Sequence, residues 1–170
     1  MNKNTRSKEL FTDAMTNLMQ DKLGISIDLL NEILNADPDD RLALLARGSV
    51  YLKMKHAEDA IKDFSEALRL NPDHPKGYHL RGLAKEMLGD DDAALEDFTK
   101  AIEIDPAYGA AYYSRATLLT KMRQEDAAAE DMKMVTQLSN INIESFANEN
   151  NVWRSRQLQV ESALESELHR

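Results

Sequence analysis

AEDAIKDFSEALRLNPDHPKGYHLRGLAKEMLGDDDAALEDFTKAIEIDP, residues Ala57–Pro106, is a stretch that nearly repeats itself. DAIKDFSEALRLNP (Asp59–Pro72) returns as AALEDFTKAIEIDP (Ala93–Pro106) after 34 residues. A half-copy lies upstream at Ile27–Pro38, and a fading one downstream at Ala127–Leu138. Each copy places apolar residues at intervals of three and four, which is the spacing of one buried face on a helix. Each of the first three stops at a proline, and the residue before a proline is pushed out of the helical region.

Working outward, the chain reads as a succession of helices. The first is expected from about Arg6 to Gln20, with Thr5 or Ser7 as its cap. A second follows the Asp21–Gly24 turn and ends before Pro38. Asp39 or Asp40 caps a third, which continues to about Lys55, and a fourth spans Ala57 to Leu70. Pro75 opens a fifth, where its missing N–H costs nothing, and Gly89 closes it in a left-handed conformation. Asp90, Asp91 and Asp92 bring negative charge to the start of a sixth, ended at Asp105-Pro106. Two more, about Ala110–Met122 and Glu125–Leu138, complete a fourth pair.

On a 34-residue register, small residues recur at Ala14, Gly48, Gly82 and Ala116, and again at Ser26, Ala60, Ala94 and Ala128. Large residues recur beside them: Leu10, Leu44, Tyr78 and Tyr112, then Leu30, Phe64, Phe98 and Met132. A large side chain filling the gap left by a small one lets two helices pack without voids. Arg47, Arg81 and Arg115 recur together with Asp63, Asp97 and Asp131, whereas the first copy has Asp13 and Leu29. Their joint presence or absence points to structural ion pairs, within a copy or to its neighbour, rather than to a row of arginines for an anionic ligand.

These residues resemble the tetratricopeptide repeat, a helix–turn–helix unit of this period. The resemblance implies an all-α, right-handed superhelix of stacked repeats. Residues 5–38 form a degenerate first repeat, 41–74 a second, 75–108 a third and 109–140 a fourth. Residues 141–170 are expected to form a connector and an amphipathic capping helix, on which Trp153, Val160, Leu164 and Leu168 share one face. That helix either covers the apolar end of the fourth repeat or enters a groove.

In proteins of this family the first helix of each pair lines a concave wall. By register, that wall comprises Phe11, Met15 and Leu18 in the first repeat and Leu45, Ser49 and Leu52 in the second. His79, Leu83 and Glu86 follow in the third, and Tyr113, Thr117 and Thr120 in the fourth. Lys8, Lys53, Lys76 and Lys121 flank it. An apolar groove rimmed by lysines suits an amphipathic helix or an extended peptide with apolar anchors and acidic neighbours. The family's device for a C-terminal carboxylate uses lysines and asparagines at positions that here hold Phe11, Met15, Ala46, Lys76 and Leu80, so only Lys76 fits.

Composition narrows the class of activity. A net charge of −9 repels a phosphate backbone, which argues against nucleic acid. There are no cysteines, so disulfides and thiolate chemistry are excluded, and a reducing compartment suits the chain. Lys3, Arg6 and Lys8 are followed by no apolar run, so no export signal is expected, and the cytoplasm is the expected location. The acidic triple at Asp90 lacks the spacing of a calcium loop, and His56, His74, His79 and His169 lack metal-ligand spacing. No nucleophile, phosphate loop or metalloprotease motif is present, so neither catalysis nor a cofactor is implied.

The expected function is a non-catalytic scaffold for protein–protein contact, binding a peptide or helix of a partner protein as a monomer or weak homo-oligomer. The rival readings are a chaperone resembling those of type III secretion, a scaffold that self-assembles through its terminal repeats, and an enzyme without a visible motif.

Overall fold

A computed structural model describes residues 3–140; the connector and capping helix expected over 141–170 lie outside the described residues. The described residues form eight helices and no strand: α1 (Lys3–Met19), α2 (Leu23–Ala36), α3 (Arg41–Lys53), α4 (Ala57–Leu70), α5 (Pro75–Met87), α6 (Asp91–Ile104), α7 (Gly109–Lys121) and α8 (residues 125–140). α1 begins at Lys3, so Thr5 and Ser7 lie inside it and neither caps it. α2, α4 and α7 also start without a side-chain cap, whereas α3, α5 and α6 have one. Asp40 and Asp90 accept from the backbone N–H of Ala43 and Ala93. Pro75 occupies the first turn of α5, and the capping atom there is Nδ1 of His74, which accepts from Gly77 N–H at 2.9 Å.

Two turn designs alternate. Within each pair the chain reverses through a short turn whose second residue is left-handed: Asp21, Lys55, Gly89 and Arg123, with φ of 61°, 62°, 80° and 61°. Only one of the four is glycine, the residue that adopts this conformation without steric cost. Between pairs, Asp37, Asn71 and Asp105 close the preceding helix through their N–H groups. Their side chains then accept from the N–H two residues on, at Asp39, Asp73 and Ala107. That side-chain turn explains why an aspartate or asparagine precedes Pro38, Pro72 and Pro106.

Packing inside each pair follows the small/large register. Phe64 and Phe98 are wholly buried, and a β-carbon placed on Gly48 or Gly82 would lie 2.7 or 2.6 Å from their ring carbons. In the first pair Ala14 and the shorter Leu30 are wholly buried in one core, and Ser26 donates its hydroxyl to the Ala14 carbonyl at 2.9 Å. Met132, the fourth large residue, is 42% exposed, so the register's packing rule weakens in the last pair.

The arginines join each pair to the one before it. Arg47, Arg81 and Arg115 grip Asp63, Asp97 and Asp131 of their own pair through two nitrogens each, at 2.6–2.8 Å. A third nitrogen donates to Asn31, Ser65 or Thr99 on the preceding pair's second helix, at 2.7–3.3 Å. Each guanidinium also lies 5.4–5.9 Å from a tyrosine ring, Tyr51, Tyr78 or Tyr112. All three nitrogens of each guanidinium donate to protein groups, so these arginines act as structural fasteners and not as an open anion row.

Curvature follows from which helices touch. The backbone of α1 approaches that of α3, α3 approaches α5 and α5 approaches α7, whereas the backbones of α2, α4 and α6 do not approach one another. The odd-numbered helices are therefore crowded on the inside of the curve, and the even-numbered ones are splayed on the outside.

Candidate functional site: the inner wall

The expected wall residues fall into three separate groups on the odd-numbered helices, not into one continuous groove. In the first two pairs Phe11, Met15, Leu18 and Leu45 are half-buried against the core built around Leu30, Ile33 and Val50. Leu45 also packs on the next core, around Phe64, so it fastens two repeats. The wall's hydroxyls turn back on their own helices: Ser49 donates to the Leu45 carbonyl at 2.7 Å and Thr117 to the Tyr113 carbonyl at 2.9 Å.

Midway along, Leu52 of α3, Leu83, Glu86 and Met87 of α5 and Lys121 of α7 line an open cleft of about 420 Å³. Four of these five residues were expected from the register; Met87 was not. Its signal was available, since Met87 stands at the same position of its repeat as Lys53 and Lys121. Met87 is 45% exposed, an unbranched apolar side chain of the kind that adapts to varied contacts.

Farther along, His79, Tyr113, Ser114, Val135 and Leu138 line a second cleft between the start of α7 and the end of α8. Tyr113 is 57% exposed there, while His79 is buried. The two ring nitrogens of His79 are 3.1 Å from Tyr108 Oη and 2.8 Å from Ser114 Oγ. Burial, then the nearby Lys76 charge, push its pKa below the ordinary histidine value. His79 therefore positions the α5–α7 junction and offers the cleft little more than a ring edge.

The lysines differ from a uniform basic rim. Lys53 reaches Asp21 at 2.8 Å and Lys121 reaches Asp91 at 2.7 Å, so both are neutralised by carboxylates at the turns. Lys8 and Lys76 are exposed. Glu86 is half-buried in the central cleft, and burial holds its carboxyl above the ordinary value, with Lys121 opposing and Asp91 adding to the shift.

The tetratricopeptide repeat profile matches residues 20–75 and again 45–109, together more than half of the chain. The chain belongs to the tetratricopeptide repeat family. Solved structures share this array's path at low identity. A crystal structure of MamA superposes with a TM-score of 0.75 at 22% identity, over 81% of each chain. MamA from Desulfovibrio magneticus RS-1 gives 0.74 at 19%, over 79% of this chain and 76% of that one. The first tetratricopeptide domain of Spaghetti (RPAP3), bound to the HSP90 peptide SRMEEVD, gives 0.67 at 24%, over 70% and 94%. No curated protein matches the sequence at a significant level. Among the described residues no helix is long and apolar enough to cross a membrane.

Proposed function

We propose that this tetratricopeptide array is a non-catalytic scaffold that holds a peptide or helix of a partner protein against the inner wall of its odd-numbered helices. The observation that carries this reading is the central cleft: Leu52, Leu83 and Met87 come from two successive repeats and keep apolar surface open to solvent beside Glu86 and Lys121. Apolar surface left exposed on a wall otherwise fastened by hydrogen bonds marks a contact surface. Because the repeats are locked to each other by the arginine grips, binding there orders little of the receptor, which favours affinity.

The ligand class differs from that of the RPAP3 domain, which is bound to an HSP90 peptide ending in EEVD. Phe11, Met15, Ala46 and Leu80 stand where a carboxylate clamp needs cations and amides, so an internal segment suits this wall better than a free C-terminus. The test is co-purification from the source cell with charge placed on either side of the curve. Met87→Lys should lose the partner and Glu96→Lys, on exposed α6 surface, should retain it. The opposite pattern would move the site to the outer helices.

A second reading, assembly through the terminal repeats, is favoured by Met19 and Ile25, which are 86% and 51% exposed on the first pair. Light scattering across a concentration series tests it: a mass fixed at that of one chain at every concentration removes it.

A further inference from the structure

We propose that the central cleft selects a partner segment carrying an arginine or lysine between apolar residues, with the cation seated against Glu86. This rests on the inner wall being the recognition surface. It also reverses the preference for acidic neighbours that a lysine rim implies.

Three observations point to a cation. First, Glu86 sits among Leu52, Leu83 and Met87, and among the described residues no hydrogen bond or ion pair reaches its carboxylate. A carboxylate half-covered by apolar groups has lost part of its hydration, and the Lys121 charge nearby offsets that loss only in part. Second, the cations nearest to hand are committed elsewhere: Lys121 bonds Asp91 at 2.7 Å and Lys53 bonds Asp21 at 2.8 Å. Third, packing does not require a charge at this position. The same position holds Leu18 and Leu52 in the first two repeats and Thr120 in the fourth, so Glu86 is the register's one charged member.

An arginine or lysine fits both halves of such a site. Its aliphatic stem lies along leucine and methionine while its head meets the carboxylate. A guanidinium, planar and forked, matches a carboxylate better than an ammonium does. The chain's net charge of −9 steers a basic segment toward it at long range.

The test is selection of a random dodecapeptide library displayed on phage against the intact chain. Enriched peptides should carry arginine or lysine flanked by leucine, isoleucine, phenylalanine or methionine. A synthetic copy of the leading peptide should lose about tenfold in affinity when its cation is replaced by norleucine. Glu86→Gln should lose about as much, and the two changes together should lose no more than either alone. Glu86→Leu, the residue of the first two repeats at this position, serves as the second variant and should match Glu86→Gln. Peptides that lose binding to Met87→Lys but bind Glu86→Gln unchanged overturn this inference and leave the wall as the site. Peptides that bind Met87→Lys as well as the native chain overturn both, as does a library that yields no enrichment.

Discussion

Phe98 occupies the space that a side chain would need at Gly82: a β-carbon there would lie 2.6 Å from Cε1 of the ring and 3.2 Å from the Ala94 carbonyl oxygen. The same relationship joins Phe64 to Gly48, while the first pair solves the problem with Ala14 against Leu30. Glycine accompanies phenylalanine and alanine accompanies leucine because the sum of the two volumes is what the helix crossing fixes.

Gly82→Ala should therefore destabilise the chain by about 1–3 kcal/mol, although alanine is the better helix former. Adding Phe98→Leu should recover part of that loss by reproducing the first pair's combination. A denaturation cycle of the four variants checks this: strictly additive effects would mean that the two positions do not share one space.

The three arginine grips should not be equally sensitive. Asp97 is also held by Lys85 at 2.8 Å, whereas the residue equivalent to Lys85 is Tyr51 beside Asp63. Removing Arg47 leaves a buried carboxylate with no cation, which costs about 3 kcal/mol. Removing Arg81 leaves Lys85 in place. Thermal melts should show Arg47→Ala falling on the order of 10 °C and Arg81→Ala falling clearly less.

The left-handed turn residues offer a gain. Lys55 has φ of 62° at the place where Gly89 has 80°. Lys55→Gly relieves a side-chain clash with the backbone and should stabilise the chain by about 0.5 kcal/mol, the relief exceeding the added chain entropy. Gly89→Ala should cost roughly 1 kcal/mol. Urea midpoints of the two variants should move in opposite directions.

Stability should fall on mild acidification. His74 and His79 both have pKa values pushed below 6.5, chiefly by burial, and then by Arg41 and Lys76 for His74 and by Lys76 for His79. The unfolded chain then binds more protons than the folded one between that value and the folded pKa. Stability present above pH 6.5 is lost as the pH drops through this window. Protonating His74 also removes the acceptor that caps α5. Unfolding free energies measured from about pH 7.5 to about pH 5.5 should decline, and the decline should be shallower in His74→Asn/His79→Gln.

Glu86 has the opposite sign. Its folded pKa is raised, so the folded chain binds more protons than the unfolded one just above the ordinary carboxyl value, and the ionised form weakens the fold at neutral pH. Glu86→Gln should leave the melting temperature at pH 7 unchanged or raise it while weakening peptide binding.

The helices were legible because every 34 residues restates the same constraints. Pro38, Pro72 and Pro106 set the stops, and Gly48 and Gly82 set the crossings. The inter-repeat bonds to Asn31, Ser65 and Thr99 were missed, although these residues share one register and polar residues at matched positions were the signal. The site was harder to read, because its character depends on pairing between residues about 30 positions apart. Lys53 and Lys121 look like a basic rim until Asp21 and Asp91 are seen to neutralise them. His79 looks like a wall residue until Tyr108 and Ser114 close over its ring nitrogens. Glu86 gains its meaning from what its neighbours leave unpaired.

The central claim is that the inner wall carries recognition. Site-directed photo-crosslinking in the source cell tests it most directly, with the crosslinking residue at Met87 on α5 or at Glu96 on α6. Both positions are exposed, so neither should disturb the fold. The account predicts a discrete partner adduct from Met87 and none from Glu96. An adduct from Glu96 with none from Met87 would contradict it.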